Sequence, residues 1–184
     1  MSRRDAILES AVTLFAERGF AATSINDIER AAGLSVGSGG TYRHFKSKEA
    51  MLEAAIVGLL DDLHQQLDPT PPSLEVGFQD SIDFLRSKRQ LLRILVRDLD
   101  AFPSLRRRVA EELHGHAFRL AADRTAALAP HLDAEAVAAM LGSAAVGFVV
   151  LEVLADWRPL EVDDDRLVRV LSDVYLHLLT SDPE

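Results

Sequence analysis

Residues 19–51 read GFAATSINDIERAAGLSVGSGGTYRHFKSKEAM, and this stretch decides the fold. Ser24 and Asp27 have the spacing of a capping box, which predicts that a short helix begins after Ser24. Gly33 predicts the end of that helix, because glycine readily adopts the left-handed conformation found after helix C-termini. The tight turn over residues 33–35 leads into a second helical segment. Two short helices joined by a tight turn are typical of a helix-turn-helix.

The second of these helices contains an unusual run of glycines. Gly37, Gly39 and Gly40 each lower the stability of a helix by about 1 kcal/mol relative to alanine. We therefore expect the helix to begin late, with Ser38 as its N-terminal cap. Glycine also lets the backbone come close to DNA, so this segment is expected to order on binding.

Helical periodicity continues on both sides of this stretch. The apolar positions before it predict a first helix that ends at Gly19. A long helix is predicted from Ser47 through Leu67, and three prolines at positions 69, 71 and 72 end it. Further helices are predicted over residues 74–87, 90–99, 104–129, 134–155 and 164–179. No strand-like alternation competes with them, so the sequence predicts an all-α fold.

Composition excludes several classes of protein. The chain has 184 residues, is 48% hydrophobic and contains no cysteine. It therefore has no disulfide framework, thiolate zinc site, iron-sulfur cluster or cysteine nucleophile. A helical pattern begins directly after the N-terminus, without the apolar core of a signal peptide, which predicts a cytoplasmic protein.

The distribution of charge indicates two domains. A formal net charge of −9 would argue against a nucleic-acid partner, because binding depends on neutralising phosphates. However, residues 1–50 carry seven Lys and Arg against six Asp and Glu, whereas residues 51–184 carry thirteen against twenty-three. The sequence therefore predicts two domains with separate roles: residues 1–50, whose helix-turn-helix indicates DNA binding, and an acidic domain over residues 51–184.

The stretch quoted above resembles the N-terminal domain of the tetracycline-repressor (TetR) family, most clearly over residues 19–28, 31–35 and 42–51. The resemblance implies an N-terminal three-helix helix-turn-helix domain, followed by a helical domain for ligand binding and dimerisation. It also implies a repressor that binds a palindromic DNA operator as a homodimer. Two features depart from the family pattern: two extra residues lie between Gly37 and Tyr42, and Glu29 replaces a small residue.

The resemblance also implies which residues contact DNA. Thr23 and Ser24 lie at a helix N-terminus, where a hydroxyl either contacts a phosphate or only caps the helix. Tyr42 and His44 resemble the pair that grips phosphates, with Phe45 as a core anchor, and Lys48 is expected to reach a phosphate. The expected reading segment comprises Ser35, Val36, Gly37, Ser38, Gly39, Gly40 and Thr41.

The last two helices are the predicted dimer interface. The helix predicted over 134–155 carries small residues, and the helix predicted over 164–179 carries an apolar stripe, so these two helices from each of two copies could pack closely as a four-helix interface. The alternative interpretation is that the same residues form an intramolecular core. The residues assigned to this interface are Gly142, Ala145, Leu167, Leu171, Val174 and Leu178. Residues 136–151 carry no charge, but sixteen residues are too few to cross a bilayer, so burial within protein is predicted and no membrane partner is expected.

An apolar cavity for an unidentified small-molecule effector is predicted in the second domain. Aromatic residues and a histidine would line it, although an aromatic residue at a helix end, such as Trp157, commonly serves packing instead. The residues assigned to this pocket are Phe78, Phe84, Phe102, His114, Phe118 and Trp157.

Motifs of catalysis are missing from the sequence. We find no phosphate loop, dinucleotide fingerprint, nucleophile elbow or zinc signature, so no enzyme activity, cofactor or metal is predicted. The sequence predicts a ligand-responsive repressor. The alternative is an all-helical module that binds a small molecule or a protein, and in which the extra glycines have impaired sequence-specific reading of DNA.

Overall fold

The computed structural model describes residues 2–37, 39–66, 71–155 and 157–181, and no β-strand occurs among them. The predicted all-α fold is confirmed. Nine α-helices form it over these residues: α1 (Arg3–Arg18), α2 (Ile25–Ala31), α3 (Lys48–Gln66), α4 (Leu74–Ser87), α5 (Arg89–Asp98), α6 (Pro103–Val109), α7 (Gly115–Leu128), α8 (Ala134–Ala155) and α9 (Asp164–Thr180).

The chain divides into two compact units. The head unit comprises Met1–Asp62 and Lys88–Val109, and the body unit comprises Leu63–Ser87 and Ala110–Glu184. This division differs from the predicted one, because residue 50 falls inside the continuous helix α3 and because α5 and α6 pack with the head.

Side chains close in sequence define the ends of α1 and α2. Ser2 and Ser24 each cap a helix and complete a capping box with an aspartate three residues later. Gly19 and Gly33 follow the two helices with φ of +95° and +68°, as predicted. After α2, the Gly33 N–H donates to Arg30 O and the Leu34 N–H donates to Glu29 O, so unpaired carbonyls at the helix end gain donors.

Helix α5 holds the C-terminal end of α1 within the head unit. The guanidinium of Arg97 donates to the carbonyl oxygens of Phe15 and Ala16 in the last turn of α1, and Phe15 O also accepts from the Gly19 N–H at 3.0 Å. The next residue, Asp98, accepts a hydrogen bond from the Phe20 N–H at 3.3 Å. The turn after α1 is therefore fixed by residues about eighty positions further along the chain.

The body unit packs α8 and α9 around a shared apolar core. Its buried residues are Leu141, Ala145, Leu171 and Tyr175. The hydroxyl groups of Tyr175 and Thr125 lie 2.7 Å apart and form a buried hydrogen bond, which ties α9 to α7. Because a buried hydroxyl without a partner is costly, this pair also fixes how the two helices pack.

One predicted helix is interrupted. The sequence predicts a single helix over residues 104–129, but a π-helical turn, Ala110–His114, separates α6 from α7. A π-turn holds one more residue than an α-turn, so the side-chain pattern shifts across it. Gly115 follows at once, and its low helix propensity weakens the regular helix at this point.

Helix α8 has the predicted bounds, Ala134–Ala155, but much of it is exposed. It has 22 residues and is long and apolar enough to cross a membrane by length and composition alone. Only 33% of its most apolar window is buried within this chain, so the core of the chain does not supply the burial that the sequence predicts in a core or a subunit interface.

Candidate nucleic-acid interface

The N-terminal end of α2 presents an exposed cap. The Ser24 hydroxyl accepts a hydrogen bond from the Asp27 N–H at 3.2 Å, and the Asp27 carboxylate accepts from the Ser24 N–H at 3.1 Å. The capping role predicted for Ser24 is confirmed. Its hydroxyl group also lies on the surface, where a phosphate could approach the end of the helix.

Thr23 points inward, which corrects the prediction that its hydroxyl contacts a phosphate. Its side chain is 1% exposed, and its hydroxyl donates to Gly19 O at 2.8 Å and approaches Leu14 O at 3.3 Å. Neither of the two expected roles fits, because the hydroxyl neither caps α2 nor faces solvent. It closes the turn between α1 and α2 instead.

Lys48 also serves the turn after α1, which corrects its predicted role as a phosphate ligand. Its ammonium donates to Phe20 O at 2.7 Å and to Thr23 O at 2.8 Å. It also lies 4.3 Å from the centroid of the Phe20 ring, within range of a cation–π interaction. Two of its three donors are thus committed inside the head unit.

The reading segment contains no α-helix among the residues described. A single 3-10 turn, Thr41–Arg43, stands where the sequence predicted a late helix. Gly37 and Gly39 have φ of +77° and +70°, a conformation that glycine adopts without the steric cost borne by other residues. Ser38, the predicted cap, lies outside the described residues.

Glu29 holds this segment in place, a role that the sequence analysis missed. Its side chain is 1% exposed, and its carboxylate accepts hydrogen bonds from the Gly37 N–H at 2.7 Å and the Thr41 N–H at 3.4 Å. The Gly37 hydrogen bond is the largest cause that lowers the pKa of Glu29 below its ordinary value of 4.5. Burial opposes this effect, and the Thr41 N–H adds to it.

An aromatic and basic surface follows the glycine-rich stretch that runs from Gly37 to Thr41, which we call the glycine segment. Tyr42 is 58% exposed, and Arg43, His44 and Lys46 are exposed as well. Phe45 lies buried beneath them, as predicted, and the guanidinium of Arg4 on α1 sits 4.9 Å from its ring centroid. Tyr42 and His44 therefore belong to one surface of exposed donors and cations that can approach phosphates. We call residues 42–46 and Arg4 the basic patch.

The other residues predicted to read DNA divide by exposure. Ser35, Val36 and Gly37 are exposed, whereas Gly39 and Gly40 are partly buried. Thr41 is 0% exposed, so the prediction that it reads bases is wrong for this conformation. Its N–H faces Glu29, and that contact draws the residue into the interior.

The residues assigned to the dimer interface are mostly internal, which supports the alternative interpretation for part of the set. Ala145 and Leu171 are core residues of the body unit, and Leu167 packs against that core. Gly142 lies against the Phe118 ring of α7, where an added Cβ would come within 2.5 Å of a ring carbon. Val174 is exposed and Leu178 is partly buried.

The residues assigned to the effector pocket do not form a single group. Phe102 belongs to the head unit, where its ring packs edge-on against Phe20 at a centroid distance of 4.8 Å. Phe78 packs against the core of the body unit, Phe84 is buried, and Trp157 is 54% exposed. The side chain of His114 lies outside the described part of the chain.

A groove of the body unit lies elsewhere. It has a volume of ≈ 360 Å³ and runs between α4 and α9, and its lining residues are Glu75, Val76, Gln79, Asp165, Val168 and Arg169. None of the residues predicted for the effector pocket lines it. Its walls include two carboxylates and one guanidinium, although most of the lining surface is apolar.

Comparison with known proteins finds similarity concentrated in the N-terminal part of the chain. Residues 7–55 match the family model described as bacterial regulatory proteins, tetR family. The HTH-type transcriptional repressor KstR2 of Rhodococcus jostii is 52% identical over 61 residues, which cover 33% of this chain and 29% of KstR2. TtgR of Pseudomonas putida, an HTH-type transcriptional regulator, is 34% identical over 111 residues, which cover 60% of this chain and 49% of TtgR. This chain therefore aligns with less than half the length of either relative.

The fold is shared over nearly the whole chain. The crystal structure of a TetR-like transcriptional regulator from Rhodococcus sp. RHA1 matches with a TM-score of 0.75 at 21% identity and covers 98% of this chain and 97% of that one. The predicted combination of an N-terminal helix-turn-helix domain with a helical C-terminal domain is confirmed.

Proposed function

We propose that this chain belongs to the TetR family of bacterial regulatory proteins and is a cytoplasmic transcriptional repressor that binds a palindromic DNA operator as a homodimer. A small-molecule effector bound by the body unit releases the operator. The observation that carries this proposal is the basic patch, in which exposed Tyr42, Arg43, His44 and Lys46 stand above the buried anchor Phe45.

The basic patch has the chemistry of a phosphate-binding surface. Arginine and lysine neutralise phosphates, and tyrosine and histidine donate hydrogen bonds to their oxygens. Phe45 fixes the backbone beneath these side chains, because it is 4% exposed and its N–H donates to Thr41 O at 3.0 Å. Phe45 thus holds the backbone that carries these donors, and donors at fixed positions determine where and in which orientation a protein binds the duplex.

The exposed faces of α8 and α9 support a homodimer. Apolar side chains are exposed on both helices: Met140, Leu151 and Leu154 on α8, and Val170 and Val174 on α9. Exposed apolar patches on soluble proteins mark interaction sites. We assign this face to a second copy of the chain, because one helix-turn-helix reads only a few base pairs and a two-fold dimer doubles the site.

A matched pair of valines tests the dimer. Val170 on α9 is 57% exposed and Val96 on α5 is 52% exposed, so a charge is equally tolerable at either position in a monomer. We expect Val170→Glu to be monomeric in sedimentation velocity and Val96→Glu to remain dimeric. Two dimeric variants would refute this interface, and wild-type chain that floats with phosphatidylcholine vesicles would instead assign the α8 face to a membrane.

We place the effector site in the body unit, beside the contact between Phe118 and α8. Phe118 lies directly against Gly142, so replacing its ring with a smaller side chain would open space beside α8. We expect Phe118→Ala to change the affinity of an apolar fluorescent probe, 1-anilinonaphthalene-8-sulfonate, without changing the affinity for DNA in the absence of probe. Unchanged probe binding would place the effector site away from Phe118.

Selection from a random duplex library at moderate salt tests the DNA-binding function. The full-length dimer should enrich a palindrome, and Tyr42→Ala should weaken binding to all sequences about equally, because a phosphate contact carries no base information. Val76→Ala in the body unit, which removes a similarly exposed side chain, is the control. If Tyr42→Ala bound as tightly as the control, the assignment of the basic patch would be wrong.

The missing recognition helix favours one alternative. Within the described residues, 36–43 contain one 3-10 turn where a reading helix is expected. A module without sequence-specific reading would bind all duplexes weakly through the basic patch. In that case selection would enrich no sequence, although binding would still weaken steeply as salt increases.

A further inference from the structure

The reading segment depends on one buried charge. Glu29 is a residue of α2 whose side chain is 1% exposed, although glutamate is among the residue types least often buried. Burying a carboxylate is costly unless hydrogen bonds replace the lost water. The donors at Glu29 are the N–H groups of Gly37 and Thr41, at 2.7 Å and 3.4 Å.

These donors belong to the two ends of the glycine segment. Gly37 stands before the extra residues, and Thr41 opens the 3-10 turn that carries Tyr42. One carboxylate therefore fixes both ends of the segment relative to α2. The main-chain oxygen of Glu29 also accepts from the Leu34 N–H at 2.8 Å, so the same residue fixes the turn that leads into the segment.

This arrangement explains why the segment is not helical. In a regular helix, N–H groups beyond the first turn are directed to carbonyl oxygens four residues back. Here the Gly37 and Thr41 N–H groups are directed to a side chain of the preceding helix, and Gly37 has a φ of +77°. Glu29 and the glycine segment are the two departures from the family pattern, and the structure brings them into contact.

We propose that Glu29 is the positioning residue of the DNA-reading segment. Its carboxylate anchors Gly37 and Thr41, and the loop held in this way, rather than a helix, presents the exposed side chain of Val36 to the major groove. The inference rests on the proposed function, because it assigns a role within DNA reading. Glu29 itself touches no DNA; it acts through the backbone to which it is bonded.

Glu29→Gln tests the anchor with little change in side-chain volume. The glutamine oxygen can still accept from one N–H, but its NH₂ group would face the other N–H, so one of the two bonds is lost. Glu9→Gln, at an exposed position of α1, is the matched control. Thermal unfolding of both variants shows whether each one is folded under the conditions of the assay.

Two measurements on the full-length chain decide the proposal. In amide hydrogen exchange, we expect Glu29→Gln to exchange at least roughly tenfold faster than wild type at Gly37 or Thr41, and Glu9→Gln to match wild type. In binding, the probes are the duplex enriched by wild type and a scrambled duplex of the same length. Glu29→Gln should lose roughly tenfold or more in preference for the enriched duplex, while its affinity for the scrambled duplex stays within about twofold.

The outcomes separate this inference from the proposed function. Unchanged exchange overturns the anchor, and faster exchange with unchanged preference overturns its role in reading. An equal loss on both duplexes would show that Glu29 supports phosphate contacts and would also overturn the proposal. A wild-type chain that prefers no duplex overturns the proposed function and the reading role together, and the exchange data then show whether the anchor stands by itself.

Discussion

The turn after α1 and the turn after α2 are both held by charged side chains, but the charges have opposite signs. After α1, the cations Lys48 and Arg97 donate to main-chain oxygens. After α2, the anion Glu29 accepts from main-chain N–H groups. The first turn is thus held by residues from α3 and α5, whereas the second depends on a single residue of the preceding helix.

This difference predicts two kinds of effect when these charged residues are substituted. Because Lys48 and Arg97 connect three helices of the head unit, losing either should destabilise the fold of that unit. Losing Glu29 should release the glycine segment, since the contacts of its carboxylate lie within residues 37–41. The predictions below test this contrast, beginning with the largest expected effect.

Lys48→Met should cause the largest loss of stability. It keeps most of the apolar stem but leaves Phe20 O and Thr23 O without their donor, and hydrogen bonds from a charged group contribute about 1.5–3 kcal/mol each. Because Lys48 is partly exposed, solvent screening reduces the sum of the two, and we expect the free energy of unfolding in urea to fall by roughly 2–3 kcal/mol. If the stability were unchanged and the salt dependence of DNA binding decreased by about one phosphate contact, Lys48 would be a phosphate ligand after all.

Arg97→Lys should cost less. Lysine keeps the charge but lacks the planar fork that reaches Phe15 O, Ala16 O and the Asp98 carboxylate together. Because the Arg97 side chain is partly exposed, solvent screening reduces the loss to about 1 kcal/mol in urea unfolding. Arg89→Lys, at an exposed position on the same helix, is the control and should leave the midpoint unchanged.

Thr23→Val should have a smaller effect. It keeps the shape of the side chain and removes a buried hydroxyl that donates to Gly19 O at 2.8 Å, so we expect a loss of roughly 0.5–1 kcal/mol in thermal or urea unfolding. Affinity for DNA should not change once the protein is folded. A variant of normal stability with weakened DNA binding would restore the phosphate role predicted from the sequence.

The smallest effect should come from Glu29, and it is measured as a loss of stability when the pH falls from neutral into acid. The pKa of Glu29 is lower in the folded chain than its ordinary value of 4.5, so its ionised form contributes stability above that value. This contribution is lost as the pH falls through the folded pKa. Between about pH 5 and pH 3, wild type should therefore lose more stability than Glu29→Gln. Parallel pH profiles for wild type, Glu29→Gln and the control Glu9→Gln would contradict the assignment.

The predictable parts of the fold are those that local sequence determines. Capping boxes, glycine ends and apolar periodicity act within four or five residues, and they located α4 and α8 at their observed bounds. The interruption at Ala110–His114 was missed because an apolar pattern does not distinguish an α-turn from a π-turn. An interface on α8 was predicted at Gly142 and Ala145, which lie inside the body unit, because small apolar residues suit a core as well as an interface.

The candidate site was harder to predict, because its polar groups find partners that are distant in sequence. Nothing near Lys48 shows that its ammonium meets the main-chain oxygens of Phe20 and Thr23, and Phe102 pairs with Phe20 across 82 positions. Glu29 was recognised as unusual, but its partners lie in a segment whose conformation depends on that contact. One signal in the sequence was available: Glu29 stands where a small residue is usual, shortly before a run of glycines whose N–H groups can donate to a carboxylate.

The contact of Glu29 with the glycine segment limits how far operators can be inferred from relatives. A helical reading element spaces its side chains regularly along the groove, so base preferences can be transferred from one homologue to another by position. An anchored loop with two extra residues has no such period. If the proposed loop reads DNA, an operator assigned by analogy with KstR2 should fail at the base pairs that the loop contacts, whereas the distance between the half-sites of a dimer should carry over.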